Sequence, residues 1–329
     1  MKRPPAAAVI LMAAAAALLW HMAYPSFIPS RSSVVAGTAD AVANAPAIIA
    51  SPPPAVSAVG TAAAGTGVSG AAGQPVAVLP PGVAAANPPG VDDEESLVAD
   101  LGTGQEYVSV NAGERWPLAS VSKLMTAVVA SQVLNPSDRI TITQSMIDAD
   151  PTERILHVGD VYTVANLMYI MLLPSNNVAA EAFAQYYGRA RFLAAMNAQA
   201  QAWGMTNTYY DDPSGLSAGN ESTADDLLKL ARHVYGEYPQ ILAVTRTPSI
   251  TLTNLATGQP VMVRSINAFA GTPGFIGGKT GYTDQADGNL LSIFSYHGRA
   301  ILVLVMGVSD AVRFSAAQTL FDWFKQNNL

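Results

Sequence analysis

The chain has no cysteine among its 329 residues. That removes disulfides, thiolate catalysis and cysteine-ligated zinc together. Histidine is scarce as well. His21, His157, His233 and His297 are scattered, without the close spacing by which one helix presents a metal pair. A zinc peptidase and a Ser-His-Asp hydrolase are both disfavoured, and neither a metal nor any other cofactor is implied. Charge is sparse, at 12 % of residues, and acidic on balance, with 17 Lys and Arg against 24 Asp and Glu. A protein that tracks phosphates carries a basic face, so nucleic acid is not an expected partner.

What is present divides the chain in three. Lys2 and Arg3 precede an apolar run from Ala6 to Trp20, which resumes after His21 as far as Tyr24. Residues 1–24 therefore read as a signal or membrane anchor. An uncleaved anchor is favoured, because the small-x-small candidates Ala39-Asp40-Ala41 and Ala41-Val42-Ala43 lie far beyond the run. Either reading keeps the positive N-terminus inside and puts the remainder outside the cytoplasm. Residues 25–92 read as a linker rich in Pro, Ala and Gly, with Pro52-Pro53-Pro54, Pro80-Pro81 and Pro88-Pro89. Such a stretch holds neither a helix nor a central strand. As a coil it would reach roughly 45 Å, enough for a domain to sample a layer above the membrane. Residues 93–329 carry nearly all the charged and aromatic residues and read as one folded domain.

Within that domain, Ser96–Asp100 and Glu106–Asn111 form an expected hairpin around Gly102-Thr103-Gly104. A helix is expected from near Ser120 to Leu134, stopped by Asn135-Pro136. Further helices are expected over Val164–Leu173, Val178–Tyr187, Arg189–Trp203 and Ser222–Tyr235, the last with Ser222 and Asp225 at capping-box spacing. Ser249–Asn254, Pro260–Val263 and Gly278–Thr283 read as strands. Asn289–Tyr296 and Ala300–Gly307 make a strong apolar pair joined at His297-Gly298, and Val312–Asn327 is an amphipathic closing helix. Helices fill the middle while strands come from both ends. The fold class is therefore α/β (α+β), an antiparallel sheet flanked by helices.

Three short motifs carry chemistry. Ser120-Val121-Ser122-Lys123 puts an alcohol and an amine three residues apart, on one face of a helical turn. A serine alcohol needs a nearby base to become a nucleophile. Lys123 can be that base if burial and a second cation lower its pKa. By average composition about one Ser-x-x-Lys arises by chance in a chain this long, so this motif alone is weak. Lys279-Thr280-Gly281 is rarer. On a strand edge Lys279 and Thr280 can hold a carboxylate, and Gly281 lets a substrate backbone lie close. The third is Ser175-Asn176-Asn177, in the break between two helices just after Pro174, where two polar side chains can project into a cleft. Ser109-Val110-Asn111 and Ser265-Ile266-Asn267 share its pattern but not its position between the other two motifs.

Taken together these residues resemble the penicillin-recognising serine peptidases. More closely, the chain resembles the D-alanyl-D-alanine carboxypeptidases among the low-molecular-mass penicillin-binding proteins, from about Ser96 to Phe324. The segments "LASVSKLMTAVV", "LLPSNNVAAEAFA", "DPSGLS", "STADDLLKLA", "GGKTGYTDQADGNL" and "LVLVMGVSDAVR" carry the likeness in order and spacing.

The resemblance implies the serine beta-lactamase/DD-peptidase fold and a set of roles. Ser120 would be acylated by the penultimate D-Ala of a peptidoglycan stem peptide, with Lys123 as its base. Ser175 and Asn177 would relay a proton and hold the substrate amide. Lys279 and Thr280 would bind near the terminal carboxylate, joined by Arg313, with Gly281 beside the substrate backbone. The N–H groups of Ser120 and Tyr282 would form the oxyanion hole. Beta-lactams, which mimic the D-Ala-D-Ala end, would trap Ser120.

Two departures bear on the reaction. Asn176 stands where many members have Gly, and the β-rich C-terminal domain of many carboxypeptidases is not expected here, because the sequence stops after the closing helix. The short D-alanyl-D-alanine endopeptidases, which "NESTADDLLKL" resembles, lack that domain too. Carboxypeptidase is the leading expectation and endopeptidase the alternative. A class A beta-lactamase would need Glu-x-x-x-Asn, which does not occur. A non-catalytic wall-binding or beta-lactam-sensing module is at odds with intact Ser120, Lys123 and Lys279.

Overall fold

The computed structural model describes residues 95–152 and 154–327. The expected anchor (1–24) and linker (25–92) lie outside the described residues. Among the described residues no helix is long and apolar enough to cross a membrane.

A five-stranded antiparallel sheet forms the frame. Its strands are β1 (Glu95–Asp100), β2 (Glu106–Val110), β9 (Phe275–Thr283), β10 (Asp287–Tyr296) and β11 (Arg299–Val308), in the order β2-β1-β11-β10-β9. The first strand therefore lies beside the last, with Leu97 opposite Leu304. Successive side chains along a strand point to opposite faces, and both faces of this sheet are covered. Leu302, Leu304 and Met306 join the core shared with the helices of the middle region. Ile301, Val303 and Val305 join Leu320, Phe321 and Phe324 of the closing helix (Arg313–Asn327). Burial on both sides explains why β11 reads as one apolar run, Ala-Ile-Leu-Val-Leu-Val-Met.

The middle of the chain is helical. It holds α1 (Lys123–Val133), the short α2 (Gln144–Ile147), α3 (Val164–Leu172), α4 (Asn177–Tyr187), α5 (Arg189–Ala202), α6 (Ala224–Glu237) and α7 (Pro239–Thr245); the closing helix is α8. Small two- and three-residue strand pairs, β3 (Trp116–Pro117) with β6 (Glu221–Ser222) and β4 (Arg139–Thr141) with β5 (Val161–Thr163), tie loops together. The remaining hairpin pairs β7 (Ser249–Thr253) with β8 (Pro260–Arg264).

Expectation and structure part in a few places. Ser120 does not open the long helix. It lies in a 3-10 turn, Ala119–Ser122, and the α-helix begins at Lys123. The helix expected from Ser222 is capped one residue later, by Thr223, whose hydroxyl accepts from the Asp226 N–H. The Ser222 hydroxyl is instead 2.7 Å from that of Thr208. The Lys279 strand starts earlier, at Phe275.

Candidate active site

The 3-10 turn holds Ser120 in a strained frame. Ala119, just before it, adopts φ +47°, a conformation that costs a side-chain-bearing residue about 1 kcal/mol or more. The turn is held from outside. Ser122 Oγ donates to Ala119 O at 2.8 Å, and Asn220 Nδ2 donates to Ser122 Oγ at 2.9 Å. Asn220 also takes the N–H groups of Asp211 and Asp212 on its Oδ1, so it fixes the 211–217 loop to the same turn. That loop comes so close that a Cβ on Gly215 would lie 1.8 Å from Ala119 O. Asp212 shapes the loop by accepting from the N–H groups of Ser214, Gly215 and Ser217.

Lys123 is fully buried. Its Nζ lies 2.8 Å from Ser120 Oγ, 2.6 Å from Asn177 Oδ1 and 2.6 Å from Ser214 O. Burial pulls this amine down to about 7, against the opposing pull of the Asp212 and Asp150 carboxylates. Of the two causes expected from sequence, burial dominates at Lys123; the charge between the two lysines tells most at Lys279. Two of the three partners, an amide oxygen and a carbonyl, can only accept. A neutral Lys123 has two N–H bonds and one lone pair. It satisfies both acceptors with the N–H bonds and turns the lone pair to the Ser120 hydroxyl. The arrangement can take the proton of a serine alcohol.

The Ser175 break is as expected, between α3 and α4, and Ser175 itself has φ +64°. Asn176 caps α4 by accepting from the Ala179 N–H at 2.7 Å. Asn177, on the first turn of α4, reaches Lys123. Ser175 faces the other way, accepting from Lys279 Nζ at 2.8 Å. The alternative serines make no such contact: Ser265 Oγ bonds only locally, to the Asn267 N–H, and Ser109 lies on β2.

Lys279, also buried, sits on the outermost strand β9. Its Nζ also donates to Thr280 O at 2.8 Å and is 3.3 Å from Thr280 Oγ1. Burial, then the charges of Lys123 and Arg313, hold its amine well below the ordinary lysine range. Arg313, at the start of α8, donates from Nη1 to Gly281 O at 3.1 Å and pairs with Asp310, while its buried Nε has no hydrogen-bond partner among the described residues. Gly281 lies against the serine turn. A Cβ there would lie 2.9 Å from Leu118 O and 3.2 Å from Ala119 Cβ. Its bareness lets β9 lie against the protein's own serine turn. Tyr282, the next residue, is half exposed.

The fold thus joins Ser120, Lys123 and Asn177 in one cluster, Ser175, Lys279 and Thr280 in a second, and Gly281 with Arg313 in a third. Lys123 and Lys279 lie near enough to act on each other by charge. Asp150, Asp212, Asn220 and the Ser214 carbonyl were not singled out from the sequence. The available signal was "DPSGLS", whose Asp, Pro, Ser and Gly mark a tightly bonded loop.

Comparisons with known proteins bear on the family and the fold. Residues 82–310 match the family described as D-alanyl-D-alanine carboxypeptidase. A D-alanyl-D-alanine carboxypeptidase of Mycobacterium tuberculosis is 31 % identical over 235 residues, 69 % of this chain and 80 % of the relative. A D-alanyl-D-alanine endopeptidase of Pseudomonas aeruginosa is 32 % identical over 238 residues, 70 % of this chain and 76 % of the relative. Among solved structures, the Streptomyces K15 DD-transpeptidase superposes with a TM-score of 0.65 at 28 % identity, over 70 % of this chain and 96 % of that one. Both the antiparallel sheet with flanking helices and the matched sequence lead to one assignment: this chain belongs to the D-alanyl-D-alanine carboxypeptidase family of serine peptidases.

Proposed function

We propose that the protein is a serine D-Ala-D-Ala carboxypeptidase that releases the terminal D-Ala of peptidoglycan stem peptides. One observation carries the reading: a buried amine brought to about 7 whose lone pair, by elimination of its other partners, faces the Ser120 hydroxyl. In this reading Lys123 takes the Ser120 proton as Oγ attacks the penultimate D-Ala carbonyl. The N–H groups of Ser120 and Tyr282 receive the developing oxyanion. The departing D-Ala nitrogen needs a proton, and Ser175 Oγ, held by Lys279 Nζ, relays the one that Lys123 took, so the C–N bond breaks and Lys123 is neutral again. Water then attacks the acyl-enzyme with Lys123 again as base, and the acid is released. Lys279, Thr280 and Arg313 hold the terminal carboxylate, whose charge offsets the repulsion of two buried cations. Asn177 holds the substrate amide. Gly281 keeps β9 and the serine turn together.

A beta-lactam presents the same carboxylate and a strained amide, so it acylates Ser120. The apolar run before Trp20 and the proline-rich stretch after it support an extracytoplasmic domain, residues 93–329, on an N-terminal tether of residues 25–92. Labelling with a fluorescent penicillin, wild type beside Ser120→Ala, tests the nucleophile, and persistence of label in the variant would overturn it. Incubation with a pentapeptide stem and with a crosslinked dimer, read by mass, tests the reaction. Loss of one D-Ala from the pentapeptide is expected. Cleavage of the dimer alone would make the protein an endopeptidase.

A further inference from the structure

Asn177 poses a problem that its motif does not solve. An amide has an acceptor end and a donor end of nearly the same shape, and half a turn of the side chain exchanges them. Only the Oδ1 end can take an N–H from Lys123. With Nδ2 turned inward, the Lys123 lone pair would be drawn to Asn177 and away from Ser120.

What faces the other end decides the matter. Asn177 Nδ2 donates to Asp150 Oδ2 at 2.8 Å. A carboxylate can only accept, so it rejects the turned amide, which would set oxygen against oxygen. Asp150 lies on the loop after α2, outside all three motifs. Its other oxygen, Oδ1, takes the Thr152 hydroxyl at 2.6 Å and the Thr152 N–H at 3.1 Å, which leaves Oδ2 for Asn177. Burial opposes ionisation there, but the bonds from Thr152 and Asn177 and the charge of Lys123 outweigh it and keep the carboxyl below its ordinary range.

We infer that Asp150 is a positioning residue for acylation: its carboxylate locks the Asn177 amide with Oδ1 on Lys123 and so aims the amine at Ser120. This rests on the reading of Ser120 and Lys123 given above. One of the two Asn177 Nδ2 hydrogens is taken by Asp150, leaving the second for a substrate carbonyl. The carboxylate acts on Lys123 through space as well. The charged groups acting on that amine are Asp150 from the α2 loop, Asp212 from the 211–217 loop and Lys279 from β9; Ser120, Asn177 and the Ser214 carbonyl are neutral. Asp150 and Asp212 favour the protonated amine and Lys279 disfavours it. Loss of Asp150's charge lets the amine shed its proton at lower pH.

The test is the second-order rate of penicillin acylation against pH for wild type, Asp150→Asn and Asp150→Glu, each checked for folding by thermal melting. Wild type should rise through pH about 7. Asp150→Asn, equal in shape but uncharged, should lose about tenfold on the plateau, with its acidic limb moved to lower pH. Asp150→Glu keeps the charge and should restore the limb. A limb that stays in place in Asp150→Asn, whether the rate falls uniformly or is unchanged, overturns the inference. A wild type that takes no label overturns the reading of the site itself, and the inference with it.

Discussion

Lys123 Nζ stands 2.8 Å from Ser120 Oγ, and that hydroxyl is the only one of the amine's three neighbours with a proton to give. The contact is usable only when the amine is neutral. Burial alone would push it further down, and the Asp212 and Asp150 carboxylates hold it near 7. The site therefore operates on a balance between an apolar surround and two distant anions.

The first prediction follows from that balance. A group pulled down to about 7 loses its proton as pH rises through that value, so acylation climbs from pH 6 to 8 and then levels. Lys123→Arg keeps the positive charge but cannot shed it. It should acylate at least about 100-fold more slowly at every pH. Stopped-flow or gel-based penicillin labelling across pH 5–9 measures both.

The cations around β9 give a second prediction. Lys279 and Arg313 are both buried, and each makes the other's charge more costly. An incoming carboxylate relieves that cost. Arg313→Gln should raise KM for an acid-ended pentapeptide by about tenfold, with kcat little changed. The same peptide ending in an amide should be a poor substrate for both proteins, and the variant should hardly alter it. Equal losses on the two peptides would mean that Arg313 does not contact the carboxylate.

Gly215 gives a third. It has φ +84°, and an added Cβ would strike the backbone oxygen of Ala119 at 1.8 Å. Gly188 has φ +102° with open space around its missing Cβ. Gly188→Ala pays only the backbone penalty, about 1–3 kcal/mol. Gly215→Ala must also drive the 211–217 loop off the serine turn, and should lose more than about 3 kcal/mol together with penicillin labelling. Urea melts of both variants compare them.

The fourth concerns Glu95, on a central strand. Its two carboxylate oxygens are buried with no hydrogen-bond partner among the described residues. Burial first, then repulsion from Glu114 and Asp225, raises it to about 8. The folded state then keeps a proton that the unfolded chain releases above its ordinary carboxyl range. Below that range the group costs nothing; the cost grows with rising pH and is complete above 8. In that window stability should fall with a slope approaching about 1.4 kcal/mol per pH unit. Glu95→Gln should remove the slope, matching wild type near pH 4.5 and exceeding it at pH 8 in denaturant titrations.

Much of this was legible before the structure because its signals are local. The β10 and β11 runs, the helix stops at Asn135-Pro136 and Pro174, and the spacing of Ser120 and Lys123 each sit within one short window. The unread parts are those without a window. α7 is seven residues long and starts at Pro239, two residues after α6 ends, too short for a period to emerge. β3 and β6 have two residues each and exist only because they meet. Within the site, Lys123 rests on the carbonyl of Ser214, and a carbonyl is the same at every position in the sequence. Asp150 is one acid among many until folding sets it beside Asn177. The packing of Gly281 was hidden for the same reason: what lies close to it is the turn at Leu118 and Ala119, some 160 residues earlier in the chain.

β1 is flanked by β2 on one side and by β11 on the other. A ribosome that has finished the hairpin of β1 and β2 must still make the whole helical middle before residues 299–308 appear. Until then one flank of that hairpin is a bare row of amides and carbonyls, and the β9–β10 hairpin that bears Lys279 has no strand to link it to β1. A chain halted short of Arg299 is not a smaller peptidase but an unclosed one.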